Sequence, residues 1–328
     1  MANTLTYAAL FQKNLDKAAV QQARTGWMEA NAGKVIYKGG KEIKIPKLSM
    51  QGLGNYDRAN GFAGGDVTFE YETKQMTYDR GRAFSIDEND VDETNFVLTA
   101  STIMSEFQRT KVVPEIDAVR IAALATMAIG VEGDKQVEYS YTPAKTTIVD
   151  KIKLAIKNIR EAGFEGDLIC YVTYDVSMLV SQFYGDKLAA ATFAIGGVDT
   201  RVPAIDGVPL VEMTSNKMVT KLKLNDGKTG GQEKGGFEKD VSGKNINFLV
   251  VAKEAPIAVS KTDNMRIFDP NTNQKARAWA MDYRKFHDIW VPDNKLSGLF
   301  VSVKESKWGE DCALVSKAKI GKAKVGKE

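Results

Sequence analysis

Two periods alternate along this chain. Residues 5–31, LTYAALFQKNLDKAAVQQARTGWMEAN, set Phe11, Leu15 and Ala19 four residues apart with Trp27 near the end, which predicts an amphipathic helix or N-terminal arm. Its apolar face can pack on its own domain or on a neighbouring subunit. The period then falls to two. GKEIKIPKL alternates Ile43 and Ile45 with Glu42 and Lys44, and DVTFEYETK alternates Val67, Phe69 and Tyr71 with Thr68, Glu70 and Glu72. Two half-buried strands are expected on either side of the glycine-rich tip GLGNYDRANGFAGGD, Gly52 to Asp66. Antiparallel pairing of a rising strand carrying Lys34, Lys38, Lys41, Lys44 and Lys47 with a returning strand carrying Asp66, Glu70 and Glu72 sets unlike charges on one face and leaves the other apolar. At about 3.3 Å per residue, strands over Lys34–Met50 and Asp66–Phe84 reach roughly 50 Å. A two-stranded ribbon with an apolar face needs a cover. That cover is either the chain's own sheet or, for a projecting arm, another subunit. The tip glycines Gly52, Gly54, Gly61, Gly64 and Gly65 permit positive φ, so the tip is expected to be the most mobile part of a free subunit.

Beyond the hairpin the period returns to that of a helix. DENDVDETNF precedes a pattern in which Phe96, Ile103 or Met104, and Phe107 recur, and its acids fit a helix start capped by Asp92. This helix is expected to end near Thr110 and to restart with Pro114 in a first turn, Glu115 and Asp117 behind it. A compact α/β lobe follows: a helix over Thr147–Ala162 closed by Gly163, a strand DLICYVT, a short helix YDVSMLVSQF, and RVPAIDGVPLVEM turning at Asp206 and Gly207. Leu224–Asn245 is polar and rich in Gly and Lys, and reads as a mobile surface loop. Strands return in INFLVVAKEAPIAVSK and GLFVSVK. In ARAWAMDYRKFHDIWVP, Trp279, Tyr283, Phe286 and Trp290 form a helical stripe, while Trp279, Met281, Tyr283 and His287 suit a strand; periodicity alone favours the helix.

Composition excludes more than it names. The 328 residues are 43% hydrophobic and 27% charged, with a net charge of +3, so no overall field draws the chain to nucleic acid or to an anionic membrane. The longest apolar run, Ile121–Val131, is too short to cross a bilayer, and no secretory pattern opens the sequence, which places the chain in a cytoplasm. Cys170 and Cys312 stand alone, giving neither a disulfide framework nor a metal pair. His287, the single histidine, reads as a packed or surface residue. The Gly52 and Gly54 pair leads into more loop and a strand where a phosphate cradle needs a helix. No catalytic, cofactor or metal site is expected, and the chain is not expected to be an enzyme.

The order of parts then resembles a family. RTKVVPEIDAVRIAALA, IDGVPLVEM and the closing DYRKFHDIWVPDNK, together with the arm, the hairpin and the spine helix, look like a major capsid protein of tailed bacteriophages, the α+β shell fold named after the Hong Kong phage and shared with encapsulins. The resemblance implies an N-terminal arm (1–33), an extended loop hairpin (34–86), a peripheral domain with the spine helix (87–146), an axial domain (147–258), return strands of the peripheral domain (259–290) and a last axial strand with a basic tail (291–328). It implies that the ambiguous 276–292 segment is a long strand. It implies that the extended loop lies across an adjacent subunit, with Lys44, Ile45, Gly52, Tyr56, Arg58, Phe62, Phe69, Glu70, Tyr71 and Glu72 at the contact. Asp87, Glu88, Asp90, Asp92 and Glu93 are a candidate acidic patch toward a neighbour, capping being the alternative. The partners implied are further copies in hexameric and pentameric capsomers, a separate scaffolding protein, a portal, and packaged double-stranded DNA touched weakly and without specificity, with no membrane. The expected place is the virion capsid, assembled in the bacterial host cytoplasm; the alternative is an encapsulin-type shell around a protein cargo. The tail KAKIGKAKVGKE is either a solubilising end or a basic extension toward DNA or the acidic patch.

Overall fold

The computed structural model describes residues 23–307, apart from 35, 38–41, 57, 59, 60, 63, 88–102, 196, 197, 269–271, 274 and 275. The start of the expected N-terminal helix, most of the acidic run, Cys312 and the basic tail lie outside the described residues. Where that first helix was expected to end, Gly26–Lys34 is a 3-10 helix.

In chain order the strands are β1 (Ile36–Tyr37), β2 (Glu42–Met50), β3 (Val67–Gln75), β4 (Tyr78–Asp87), β5 (Val137–Glu138), β6 (Leu168–Thr173), β7 (Ala189–Ile195), β8 (Val198–Ile205), β9 (Val208–Met213), β10 (Leu222–Leu224), β11 (Phe237–Lys239), β12 (Ile246–Ala252), β13 (Ile257–Phe268), β14 (Ala278–Trp290) and β15 (Leu299–Val303). The helices are α1 (Val113–Ile129), α2 (Ile148–Glu161) and α3 (Tyr174–Tyr184). The described residues divide into two compact units, one within Gly26–Ser105 and Pro256–Lys295, the other within residues 23–25, Glu106–Ala255 and residues 296–307.

The first unit holds two three-stranded sheets, β1-β2-β3 and β13-β14-β4. β14 is a strand, as the resemblance implies and against the helix its aromatic spacing favours. The reason is tertiary. β14 is the middle strand, hydrogen-bonded to β13 on one edge and to β4 on the other, and its last six residues, Lys285–Trp290, are buried on both faces. Aromatics placed on both faces of such a strand mimic a helical stripe. Ile43, Ile45, Met76, Ile257, Val259, Phe286 and Trp290 form one apolar core in this unit. His287 is buried and stacks on Tyr78, ring centroids 5.9 Å apart.

The second unit is built on a seven-stranded mixed sheet, β5-β15-β12-β6-β9-β8-β7, in which β6 and β9, and β5 and β15, run parallel. β6, β12 and β15 are buried along their whole length, so both faces of the sheet's middle are covered. α2 buries Ile148, Ile152, Ala155, Ile156 and Ile159 on one stripe, and Gly163 at φ +96° ends it, its N–H donating to the Arg160 carbonyl. Asp206 and Gly207, both at positive φ, make the two-residue turn between β8 and β9. Cys170 is buried in β6, and burial pushes its thiol far up.

Two expectations are corrected here. Pro114 stands in the first turn of α1, as expected, but no break precedes it: residues 103–107 are α-helical, Gln108–Val112 is a π-helical turn in which the Val113 N–H donates to the Gln108 carbonyl, and α1 continues from there. A regular turn would drive the proline ring into the carbonyl four residues back, and the wider turn avoids it. The Gly- and Lys-rich Leu224–Asn245 stretch lies largely at the surface, as expected, but is not all loop: it carries β11, paired with β10, and a hydrogen-bonded turn. In it the Asp226 carboxylate accepts from Lys228 N–H, Thr229 N–H and the Thr229 hydroxyl, bonds that hold its pKa down at about 2.

Candidate functional site

Register decides what the hairpin can do. β2 and β3 pair over nine positions, from Glu42 opposite Gln75 to Met50 opposite Val67, about 30 Å of ribbon. The returning strand does not continue to Phe84 in the ribbon, so the roughly 50 Å reach falls short. At Met76 and Thr77 the chain leaves β3 and enters β4, which pairs with β14 instead.

Directly opposed residues share a face. Ile43, Ile45 and Lys47 lie opposite Lys74, Glu72 and Glu70, while Pro46, Leu48 and Met50 lie opposite Tyr71, Phe69 and Val67. The isoleucines and the aromatics therefore point to opposite sides. The single apolar face expected from the alternation is two half-faces. At the base Ile43 and Ile45 are 0% and 3% exposed in the unit's own core. Toward the tip, on the other side, Leu48, Met50, Val67, Phe69 and Tyr71 are 50%, 67%, 66%, 55% and 48% exposed. Phe69 and Tyr71 meet edge to face at 4.9 Å. Among the described residues β1 pairs with Ile43 and Lys44 alone, so β2 has no such partner for Pro46 and beyond, and Pro46 is tolerated on that edge.

The residues named from sequence separate accordingly. Ile45 is inside its own unit and has no surface for a neighbour. Lys44, Phe69, Glu70 and Tyr71 are exposed, and Glu72 is half-buried beside Lys74 in an ion pair. In the tip, Gly52, Tyr56 and Phe62 are open to solvent, Arg58 is exposed, and the Tyr56 and Phe62 rings lie 4.9 Å apart. Among the described tip glycines only Gly61 has positive φ, at +83°. Asp87 ends β4 opposite Ala278, while Glu88, Asp90, Asp92 and Glu93 lie outside the described residues.

Where ribbon gives way to body, Thr77 is held by a buried carboxylate. Its N–H and its hydroxyl each donate to Asp288 Oδ2 at 2.8 Å, and Ile289 N–H donates to Oδ1 at 2.8 Å. Burial raises the Asp288 pKa against these hydrogen bonds, and burial, then the Asp288 charge, raises that of Tyr78. Among the described residues no three His, Cys, Asp or Glu side chains gather as a metal set, and no helix is long and apolar enough to cross a membrane.

No protein-family model and no curated protein matches the chain. Solved structures do. The capsid of cyanophage P-SCSP1u matches with a TM-score of 0.56 at 14% identity, over 84% of this chain and 86% of that one. The capsid of Staphylococcus phage Andhra gives 0.53 at 11% over 87% and 84%, and the mature capsid of bacteriophage PhiM1 gives 0.53 at 11% over 80% and 82%. The chain has the phage capsid fold. Within that fold the α+β class and the long strand β14 stand as the resemblance implied.

Sequence reading missed three parts of this capsid-fold chain. Leu48 and Met50 join Val67, Phe69 and Tyr71 on the exposed face, and the spacing held the signal: an even number of residues, 51–66, separates the paired ends, so odd positions of one strand oppose even positions of the other. The Thr77 to Asp288 contact spans 211 residues and has no local signature. The third, a buried polar cluster on α1, is described below.

Proposed function

We propose that this chain is the shell subunit of a tailed-phage head. It assembles in the bacterial host cytoplasm into hexameric and pentameric capsomers, and these close into an icosahedral shell around double-stranded DNA. A separate scaffolding protein and a portal take part. The observation that carries this reading is the exposed distal face of the ribbon, Leu48, Met50, Val67, Phe69 and Tyr71, on a chain with the capsid fold. A subunit working alone gains nothing from so much solvated apolar surface on an edge ribbon. Laid on an adjacent copy, the face is buried, with Lys44 on the same side of the ribbon and Arg58 and the tip residues Gly52, Tyr56 and Phe62 at its end, while Glu70 and Glu72 line the reverse side and are proposed to meet a neighbour there. Asp87 and the acids after it are proposed as a further contact. Many modest interfaces closed into a lattice give stability that no single pair has. A net charge of +3 suits weak contact with packaged DNA.

Negative-stain microscopy of the expressed chain, with and without phage assembly partners, tests the reading. Shells are expected from the wild type. Phe69→Asp is expected to abolish them while shifting subunit melting by no more than about 2 °C, since a charge at a half-exposed position changes stability little. Sedimentation of the wild type as a compact monomer under every condition contradicts the proposal. Shells filled with protein and free of DNA point to a nanocompartment instead.

A further inference from the structure

On α1, a helix apolar nearly all round, two charged side chains are buried at 1% exposure: Asp117 and Arg120. Both turn to Thr25, which is 0% exposed and 92 and 95 residues away in sequence. Asp117 Oδ1 accepts from the Thr25 N–H at 3.2 Å and from its hydroxyl at 2.7 Å. Arg120 Nη1 donates to the Thr25 carbonyl at 2.9 Å and lies 3.4 Å from its hydroxyl oxygen. One residue earlier, the Tyr171 hydroxyl donates to the Arg24 carbonyl at 3.1 Å. Lys217 Nζ stands 3.5 Å from Asp117 Oδ2. Packing alone does not call for this. Apolar side chains of similar volume fill such a site at less desolvation cost, so a buried acid and base on one residue's main chain mark a position that must be held in one conformation.

We infer that Asp117 and Arg120 are positioning residues: they clasp Thr25 and hold the main chain there in the same conformation in every subunit, which the assembly contacts of the shell require. The inference rests on the shell reading only for its assembly consequence; the clasp has a readout of its own. Arg24–Thr25 is a trypsin site whose carbonyl is bonded to Tyr171 and whose following residue is buried, so it is cut only when the clasp opens.

The full chain is digested briefly with trypsin and the fragments identified by mass, for wild type, Thr25→Val, Thr25→Ser and the double variant Asp117→Asn with Arg120→Gln, which leaves neither charge of that pair buried alone. Melting of each variant establishes that it is folded. Thr25→Val, which loses only the hydroxyl, is expected to be cut at Arg24 about tenfold faster than wild type, the scale of one hydrogen bond to a charged group, and Thr25→Ser at about the wild-type rate. Shell yield is expected to fall in Thr25→Val and to return in Thr25→Ser. The inference is overturned if wild type is cut at Arg24 as fast as folded Thr25→Val, or if Thr25→Val is released there yet forms shells at wild-type yield. A double variant that fails to fold leaves the decision to the two Thr25 variants. A wild type that protects Arg24 but never assembles upholds the clasp and removes the shell reading.

Discussion

At Asp288 burial and hydrogen bonding pull the carboxyl in opposite directions, and burial wins. A raised pKa means that the folded chain binds this proton more tightly than the unfolded chain does. The contribution to stability is therefore present in acid and declines as pH rises from the unfolded value, about 3.9, through the folded one. Asp288→Asn keeps the shape but cannot titrate. Its melting deficit against wild type is expected to be larger near about pH 4 than near about pH 7, where the ionised, buried wild-type group stabilises least. Differential scanning fluorimetry at the two pH values checks this, and a deficit that shrinks in acid would show the Thr77 and Ile289 hydrogen bonds to dominate. At this scale the sequence speaks unevenly. His287 could be read as a packed or surface side chain from its place between Phe286 and Asp288, and burial decides for packed, whereas the partners of Asp288, and of Asp117, come from chain segments that nothing local connects. Long-range polar contacts leave no period in a sequence.

An element's existence is easier to read than its face. The alternation in β2 and β3 was legible, as were the helix ending at Gly163 and the turn at Asp206 and Gly207, because each depends on neighbours a few residues away. What the ribbon presents, and to which side, depends on register, and a shift of one residue exchanges the faces. The two halves should consequently answer differently to mutation. Ile45→Ala removes a fully packed side chain from the core shared with Ile257 and Trp290, and is expected to lower subunit stability by about 2–4 kcal/mol in urea unfolding, unlike Phe69→Asp. A loss below about 0.5 kcal/mol would mean that the base of the ribbon is not held by that core. β14 and the π turn before α1 share a lesson: local spacing named a helix in the first and a break in the second, and pairing on two edges and continuity of the helix overruled them.

For the whole molecule, the order of parts carried the reading: a ribbon, a spine helix, a mixed sheet, and a return through β13, β14 and β15 form a sequence of elements that matches phage capsid structures at only 11–14% identity. Identity so low preserves no site motif, so fold survives in the pattern of periods where residue roles do not. The proposed association surface is mostly hydrocarbon and aromatic, with Met50 and Val67 its most exposed members on the strands. Hydrophobic association weakens on cooling because its driving force near room temperature is entropic. Shells held by that ribbon should be cold-labile: light scattering from shells stripped of cargo is expected to fall on cooling from about 37 °C to about 4 °C and to recover on rewarming, and a signal that rises on cooling would assign the contact to its charged rim. Temperature, more than salt or pH, would then set the threshold concentration below which this subunit stays in solution and above which it nucleates a head.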